Sequence, residues 1–247
     1  MASGDHSRPV VVDRRDTPRG ELVLRRAGEH HEVIANGTFM MDTRDGRSER
    51  ALVREALAGL AEARLLLGGL GVGFSLDEAL RGDRVSDVVV IELEPAVVEW
   101  AGTHLRRLNR HGVDDHRVRL VVGDLRRQLG RLGCEFDAIC LDLDNGPGWL
   151  VHESNAELYS DEGLESLAGL LRPGGRLAVW ASAPDLEFER RLRERFAVVR
   201  TVTVDVARGP ADVIYVASTA DAIVPKPTAV DAGSGLRGRS SRGTPRL

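Results

Sequence analysis

Short apolar runs separated by stretches of mixed polarity dominate the chain from residue 64 to residue 219. RLLLGG (64–69), DVVVIEL (87–93), VRLVVGD (118–124), FDAICLDLD (136–144) and GRLAVWAS (175–182) are continuous and β-branched. Strands read this way when both faces of their sheet are covered. Between them the composition favours helices: one from Ser75, one from Pro95 to about Leu108, a short one after Asp124, one near 155–171 and one from Pro184 to about Phe196. This β-α-β-α order predicts a doubly wound parallel sheet. The end differs, because AVVRTVTVDVA (197–207) and ADVIYVAST (211–219) flank only Arg208-Gly209-Pro210. A helical crossover does not fit there, so the last two strands are expected to form an antiparallel hairpin. The expectation is an α/β domain with a seven-stranded sheet, its last strand antiparallel.

Upstream, ELVLRRA (21–27), HEVIANG (31–37) and TFMMD (38–42) read as short strands, with Asn36-Gly37 as a hairpin turn. They predict a small antiparallel β unit over residues 20–47. Ser48 is placed to cap a helix running to about Ala61. Residues 1–19 are polar and unpatterned and are expected to form a disordered arm. A nucleotide-binding domain would fill 48–222. Residues 223–247 are rich in Pro, Gly, Ser and Arg and read as a disordered basic tail, solvated or phosphate-binding.

The chain has 247 residues, 42% of them hydrophobic and 29% charged, enough for a substantial core. No apolar run approaches the ~20 residues of a membrane helix, and the first 20 residues hold no secretory h-region. Cys134 and Cys140 are too far apart for a C-x-x-C pair and too few for a disulfide scaffold. A reducing, cytoplasmic setting is expected. The net charge of −4 weighs against nucleic acid as a partner.

Candidate chemistry falls at the strand ends. The first strand runs into Gly68-Gly69-Leu70-Gly71-Val72-Gly73-Phe74-Ser75, where Gly69, Gly71 and Gly73 permit a sharp turn and close approach of a ligand. Counting from Gly69, the sixth position is Phe74, so the G-x-G-x-x-G pattern of a dinucleotide site is not met. The second strand ends in Glu92-Leu93-Glu94-Pro95. Glu92, and after it Glu94, is placed to accept from ribose hydroxyls, or to favour the following helix through its dipole. The third ends in Gly123-Asp124, where Asp124 either caps the next helix or meets an adenine amino group. The fourth ends in Asp142-Leu143-Asp144-Asn145-Gly146-Pro147-Gly148-Trp149. Strand period puts Asp142 and Asp144 on one face, where two like charges call for a cation or donors. An amine substrate meets that demand, and one acid can take the proton it must lose before it acts as a nucleophile. His152 is the one histidine near this turn, so a metal site is not expected. Trp149, Tyr159 and Trp180 either wall a pocket or pack in the core, and Cys140 reads as a small buried hydrophobe.

Taken together, these residues resemble the spermidine synthase (polyamine aminopropyltransferase) family, within the S-adenosylmethionine-dependent methyltransferase fold class. The resemblance spans roughly residues 20–219 and includes Leu171-Arg172-Pro173-Gly174-Gly175. It implies that Gly69, Gly71 and Gly73 hold the side chain of a sulfonium nucleotide. It further implies that Glu92 binds ribose, that Gly123-Asp124 meets adenine, and that Asp142 lies at the amine. The family's fourth-strand signature D-S-S-D-P reads DLDNGP here, and its Tyr-His-Glu near the helix start reads Arg47-Ser48-Glu49, with Glu49 retained. Met40 or Met41 stands near its hairpin glutamine. The expected activity is alkyl transfer, aminopropyl or methyl, from decarboxylated S-adenosylmethionine or S-adenosylmethionine to an amine-type acceptor. Asp142 is the expected base, with Asp144, Glu49 and Trp149 around the acceptor. A small-molecule methyltransferase, a non-catalytic nucleotide-binding homologue and an NAD-linked oxidoreductase are the alternatives. The family further implies a possible homodimer.

Overall fold

A computed structural model describes residues 8–220 other than 134, 144, 151, 152 and 208. Strands β1 (Val10–Thr17), β2 (Gly20–Ala27), β3 (His30–Ala35) and β4 (Thr38–Asp42) pair in sequence order as an antiparallel sheet. A second sheet contains β5 (Ala63–Gly68), β6 (Val85–Glu92), β7 (Val118–Val122), β8 (Phe136–Leu141), β9 (Leu171–Ala181), β10 (Val198–Val204) and β11 (Asp212–Ser218). Their order is β10-β11-β9-β8-β5-β6-β7. Neighbours from β9 to β7 are parallel, and β11 is antiparallel to both β9 and β10. The last strand therefore runs against the rest, as the short Arg208-Gly209-Pro210 connection required.

The unbroken apolar runs have a simple cause. Along β5, Leu65 and Leu67 face one core while Leu66 faces another, and Val88 and Val90 of β6 oppose Val89 and Ile91 in the same way. Helices α1 (Arg47–Ala56), α2 (Phe74–Ala79) and α3 (Pro95–Gly102) cover the first face. Leu125 of α4 (Leu125–Leu129), together with α5 (Asp161–Gly169) and α6 (Leu186–Arg195), covers the second. Burying each leucine this completely contributes about 2 kcal/mol.

Four local expectations are corrected. Residues 10–17 are not an arm but the edge strand β1, so the N-terminal unit starts before residue 20 and has a fourth strand. Its sequence VVVDRRDT shows no clear apolar period because the strand is half-exposed and its anchors are polar and distant: Asp13 accepts from the Trp100 indole at 2.7 Å, and Arg15 pairs with Glu99 at 2.6 Å. Helix α1 stops at Ala56, short of Ala61, and is capped by Gly46 rather than by Ser48. Ser48 is buried in its first turn and donates to Asp212 at 2.5 Å. Helix α3 ends at Gly102, and a chain of turns follows in which Asn109 donates to the Ala101 carbonyl at 2.8 Å. The helix expected near 155–171 is broken at Ser160, which caps α5 after a 3₁₀ segment over Glu153–Tyr159. The expected tail, 223–247, lies outside the described residues.

Candidate active site at the sheet's carboxyl edge

Four strand ends are joined by three backbone hydrogen bonds into one floor. Gly69 N–H donates to Ile91 (2.9 Å), Asp142 N–H to Gly68 (2.9 Å) and Gly123 N–H to Glu92 (2.8 Å). Gly69, at φ +92°, leaves no room for a side chain, since a Cβ there would overlap the Asp142 carbonyl. Gly71 (φ +53°) and Gly73 (φ +100°) are left-handed as well, and Gly73 caps α2. The three glycines thus occupy conformations that other residues adopt only at a cost.

Glu92 is buried at the centre of this floor. Its carboxylate accepts from Leu70 N–H (2.9 Å) and Glu94 N–H (2.8 Å), which shapes the glycine turn around it. Burial pushes its pKa up, and those backbone donors oppose the shift. Glu94 caps α3 by position and pairs with Arg19 from the β1–β2 turn. Asp124 follows Gly123 and accepts from Arg126 N–H at 3.0 Å, so the capping role is observed. Burial raises its pKa, but hydrogen bonding and charge from Arg126, paired at 2.6 Å, outweigh this and hold it below the usual range.

On the neighbouring side lies a second group of acids. Asp142 ends β8, Glu49 lies on the first turn of α1, and Asp212 opens β11. All three are partly exposed. The Ser75 hydroxyl stands 3.4 Å from Asp142 and 3.4 Å from the Glu49 carbonyl, long for either bond. Burial pushes Glu49 up to about 8, with the charges of Asp142 and Asp212 adding to the shift. Burial also pushes Asp142 up to about 6; Ser75 opposes this, while Asp212 and Glu92 add to it. Such neighbours share protons as a set. Elsewhere the chain pairs its shielded acids with arginine: Glu32 with Arg25, Asp77 with Arg50, Glu94 with Arg19, Asp115 with Arg117. Among the described residues, Glu49, Asp142 and Asp212 have no such ion pair. The arginines flanking Glu49 along the chain are engaged elsewhere: Arg47 is held by Asp45 at 2.7 Å and the Asp205 carbonyl at 3.0 Å, and Arg50 pairs with Asp77. The group is therefore a cluster of acids with no paired cation, in which Glu49 keeps a proton near neutrality, and it is suited to taking up a cation.

The structure thus brings together Gly69, Gly71, Gly73, Glu92, Glu94, Gly123 and Asp124 on one side, and Asp142 with Glu49 on the other. Asp144 and His152 lie outside the described residues. Trp149 is 67% exposed on the loop after β8. Tyr159 is core, edge-on to Phe188. Trp180 packs against the α1-side core. Cys140 is buried, and burial raises its thiol. Two residues of the site were not foreseen, Asp212 and Arg19. An acid opening an otherwise apolar last strand was the available signal for Asp212. Arg19 carried none, because its position depends on the packing of the N-terminal sheet.

Comparison with known proteins decides the family. The spermine/spermidine synthase domain matches residues 58–193, more than half of the chain. The chain belongs to the spermine/spermidine synthase domain family. It is 33% identical over 180 residues to the polyamine aminopropyltransferase of Mycobacterium tuberculosis (strain H37Rv), covering 71% of this chain and 33% of that protein. Polyamine aminopropyltransferase 1 of Streptomyces coelicolor is 32% identical, with 71% and 31% covered. Polyamine aminopropyltransferase 2 of Hyperthermus butylicus is 30% identical, with 72% and 60% covered. The chain thus spans about a third of the length of the first two and three-fifths of the third. In fold it is similar to a spermidine synthase crystallised with the transition state analogue AdoDATO, with TM-score 0.72, 20% identity, and 84% and 73% covered. The spermidine synthase of Thermotoga maritima superposes with TM-score 0.71 at 20% identity, with 84% of this chain and 72% of that chain covered.

Proposed function

We propose that this family member is an aminopropyltransferase, moving an aminopropyl group from decarboxylated S-adenosylmethionine to a small amine. The observation that carries the choice of nucleotide is the acid wall of Asp142 and Asp212, with Glu49 beside them, which has no arginine or lysine paired to it among the described residues. S-adenosylmethionine carries a carboxylate on the tail that would face this wall, and like charges repel across a shielded cleft. The decarboxylated tail carries only an ammonium, which the wall attracts. The aminopropyltransferase names of the relatives support the same choice.

In this reading the glycine turn, Glu92 and Asp124 hold the adenosyl end, and the acids hold the reacting end. The acceptor arrives as an ammonium and gives its proton to Asp142, whose raised pKa suits it as a base near neutrality. The freed nitrogen lone pair attacks the carbon next to sulfur. The new N–C bond forms as the C–S bond breaks, and the electron pair leaves on sulfur as a neutral thioether. Asp142 then releases the proton to solvent. The sulfonium is already a good leaving group, so the protein's task is alignment and proton removal.

Calorimetric titration with decarboxylated S-adenosylmethionine, S-adenosylmethionine and NAD tests this. The reading predicts that the decarboxylated nucleotide binds at least tenfold tighter than S-adenosylmethionine and that NAD does not bind. Tighter binding of S-adenosylmethionine would turn the assignment to methyl transfer, and NAD binding alone would overturn it.

A further inference from the structure

One strand runs between the two acids Asp142 and Asp212. Asp142 follows β8, its N–H bonded to Gly68 at 2.9 Å, and Asp212 opens β11; β9 lies between those strands. Register identifies the β9 residue at that level. Val179 pairs with Leu141 on one side, and Trp180 pairs with Ile214 on the other. Side chains two apart on a strand share a face, as do residues directly paired across strands. Trp180 therefore shares its face with Cys140 and Asp142 on one side and with Ile214 and Asp212 on the other. The packing agrees, since Cys140, Ala178, Ile214 and Trp180 all lie against the α1-side core, where Ser48 of α1 meets Asp212. Trp180 is thus the side chain that stands between the two acids. The carboxylates still sense each other across it, because Asp212 is among the charges that raise Asp142.

Two features make this indole a floor rather than a polar partner. Its N–H is enclosed and has no hydrogen-bond partner, while the residue is only partly buried, which leaves ring carbon as the part a ligand can meet. The strand end that carries it is also pinned. The Asn145 carbonyl accepts from both the Ser182 N–H (2.9 Å) and the Ser182 hydroxyl (2.8 Å), and a Cβ on Gly146 would overlap Ala181. Neighbouring strands lie about 4.8 Å apart, so the backbones bearing the two acids are roughly 10 Å apart, with the ring between them. An acid at either end and carbon in the middle match a run of methylenes with an ammonium at each end.

We propose that Trp180 sets the length of the acceptor: the chain of an α,ω-diamine lies along the indole, its reacting nitrogen at Asp142 and its other ammonium at Asp212. The inference rests on the aminopropyl-transfer reading above and deepens it. Trp180 is a specificity-determining residue. A chain too short to reach both acids loses one of them, and a chain too long must buckle off a rigid ring.

The test measures kcat/KM on the full chain for unbranched diamines of three to seven carbons and for n-butylamine. Wild type, Trp180→Phe and Trp180→Leu are compared, with the affinity of each for decarboxylated S-adenosylmethionine measured by calorimetry. The floor predicts one best length for wild type, favoured at least about tenfold over the diamine two methylenes longer. Trp180→Leu should cut that ratio to about threefold or less, and Trp180→Phe, which keeps a flat ring, should retain most of it. n-Butylamine, which spans nothing, should be used poorly and alike by all three, and nucleotide affinity should not change. A length profile unaltered in Trp180→Leu, or n-butylamine used as well as the best diamine, would overturn the floor while leaving aminopropyl transfer standing. Weakened nucleotide binding by both variants would also overturn it, since the ring would then support the fold instead. Failure of wild type to transfer to any amine would remove the aminopropyl-transfer reading and the floor with it.

Discussion

At the residue scale, acids with no paired cation dominate the Asp142 side of the site. Glu49 and Asp142 are held above the usual carboxylate range first by burial and then by neighbouring acids. The folded protein therefore keeps protons that the unfolded chain has released between the ordinary glutamate value of 4.5 and about 8. The stability tied to those protons is fully present below the ordinary value and is lost as pH rises through the folded-state value. The melting temperature of the unliganded protein should thus fall from about pH 5 to about pH 8, and Glu49→Gln should flatten the fall; parallel curves for the two proteins would show that Glu49 is not the titrating group. Asp212 contributes to the same field, from across the sheet. Asp212→Asn should raise the acceptor's KM about threefold or more, at unchanged nucleotide affinity, because one charge facing the ammonium is lost. An unchanged KM would place Asp212 outside acceptor binding.

At the scale of elements, the glycine turn and the β1 hairpin show how far sequence reaches. Gly69→Ala should destabilise the fold by at least about 2 kcal/mol, from a left-handed backbone imposed on a side chain and from the overlap with the Asp142 carbonyl. A urea midpoint equal to wild type would mean that the strand ends are not packed as described. The glycine spacing and strand-end acids were legible because they follow local rules: a strand, a turn needing positive φ, a polar residue where the sheet opens. Helix ends were less so, since α1 trades the Ser48 cap for a hydroxyl bond to Asp212, 164 residues away. Strand β1 was missed for the same reason, being held by an edge pairing and by Asp13 against Trp100. Trp100 is fully buried. Asp13→Ala should therefore strand its indole N–H at a cost of about 1–3 kcal/mol in equilibrium unfolding, whereas wild-type stability would mean the hairpin does not dock there.

At the scale of the whole molecule, the two sheets are docked together. The seven-stranded sheet gathers four strand ends at its carboxyl edge, and the antiparallel sheet docks beside it through Arg19 to Glu94, Asp13 to Trp100 and Arg15 to Glu99. The parallel sheet, its reversed last strand and three of the four strands of the small β unit were readable from periodicity and connection length. The anionic wall was only half readable, because it draws acids from α1, β8 and β11, which pattern alone does not bring together. The account depends on group transfer at that wall. Its most direct test is a mass-spectrometric assay in which the protein, decarboxylated S-adenosylmethionine and a diamine are incubated together, with Asp142→Asn alongside. The account predicts an acceptor heavier by one aminopropyl group, released with an equal amount of 5′-methylthioadenosine, and turnover by Asp142→Asn more than roughly tenfold lower with nucleotide binding retained. Undiminished turnover by Asp142→Asn, or a methylated acceptor formed from S-adenosylmethionine instead, would contradict it.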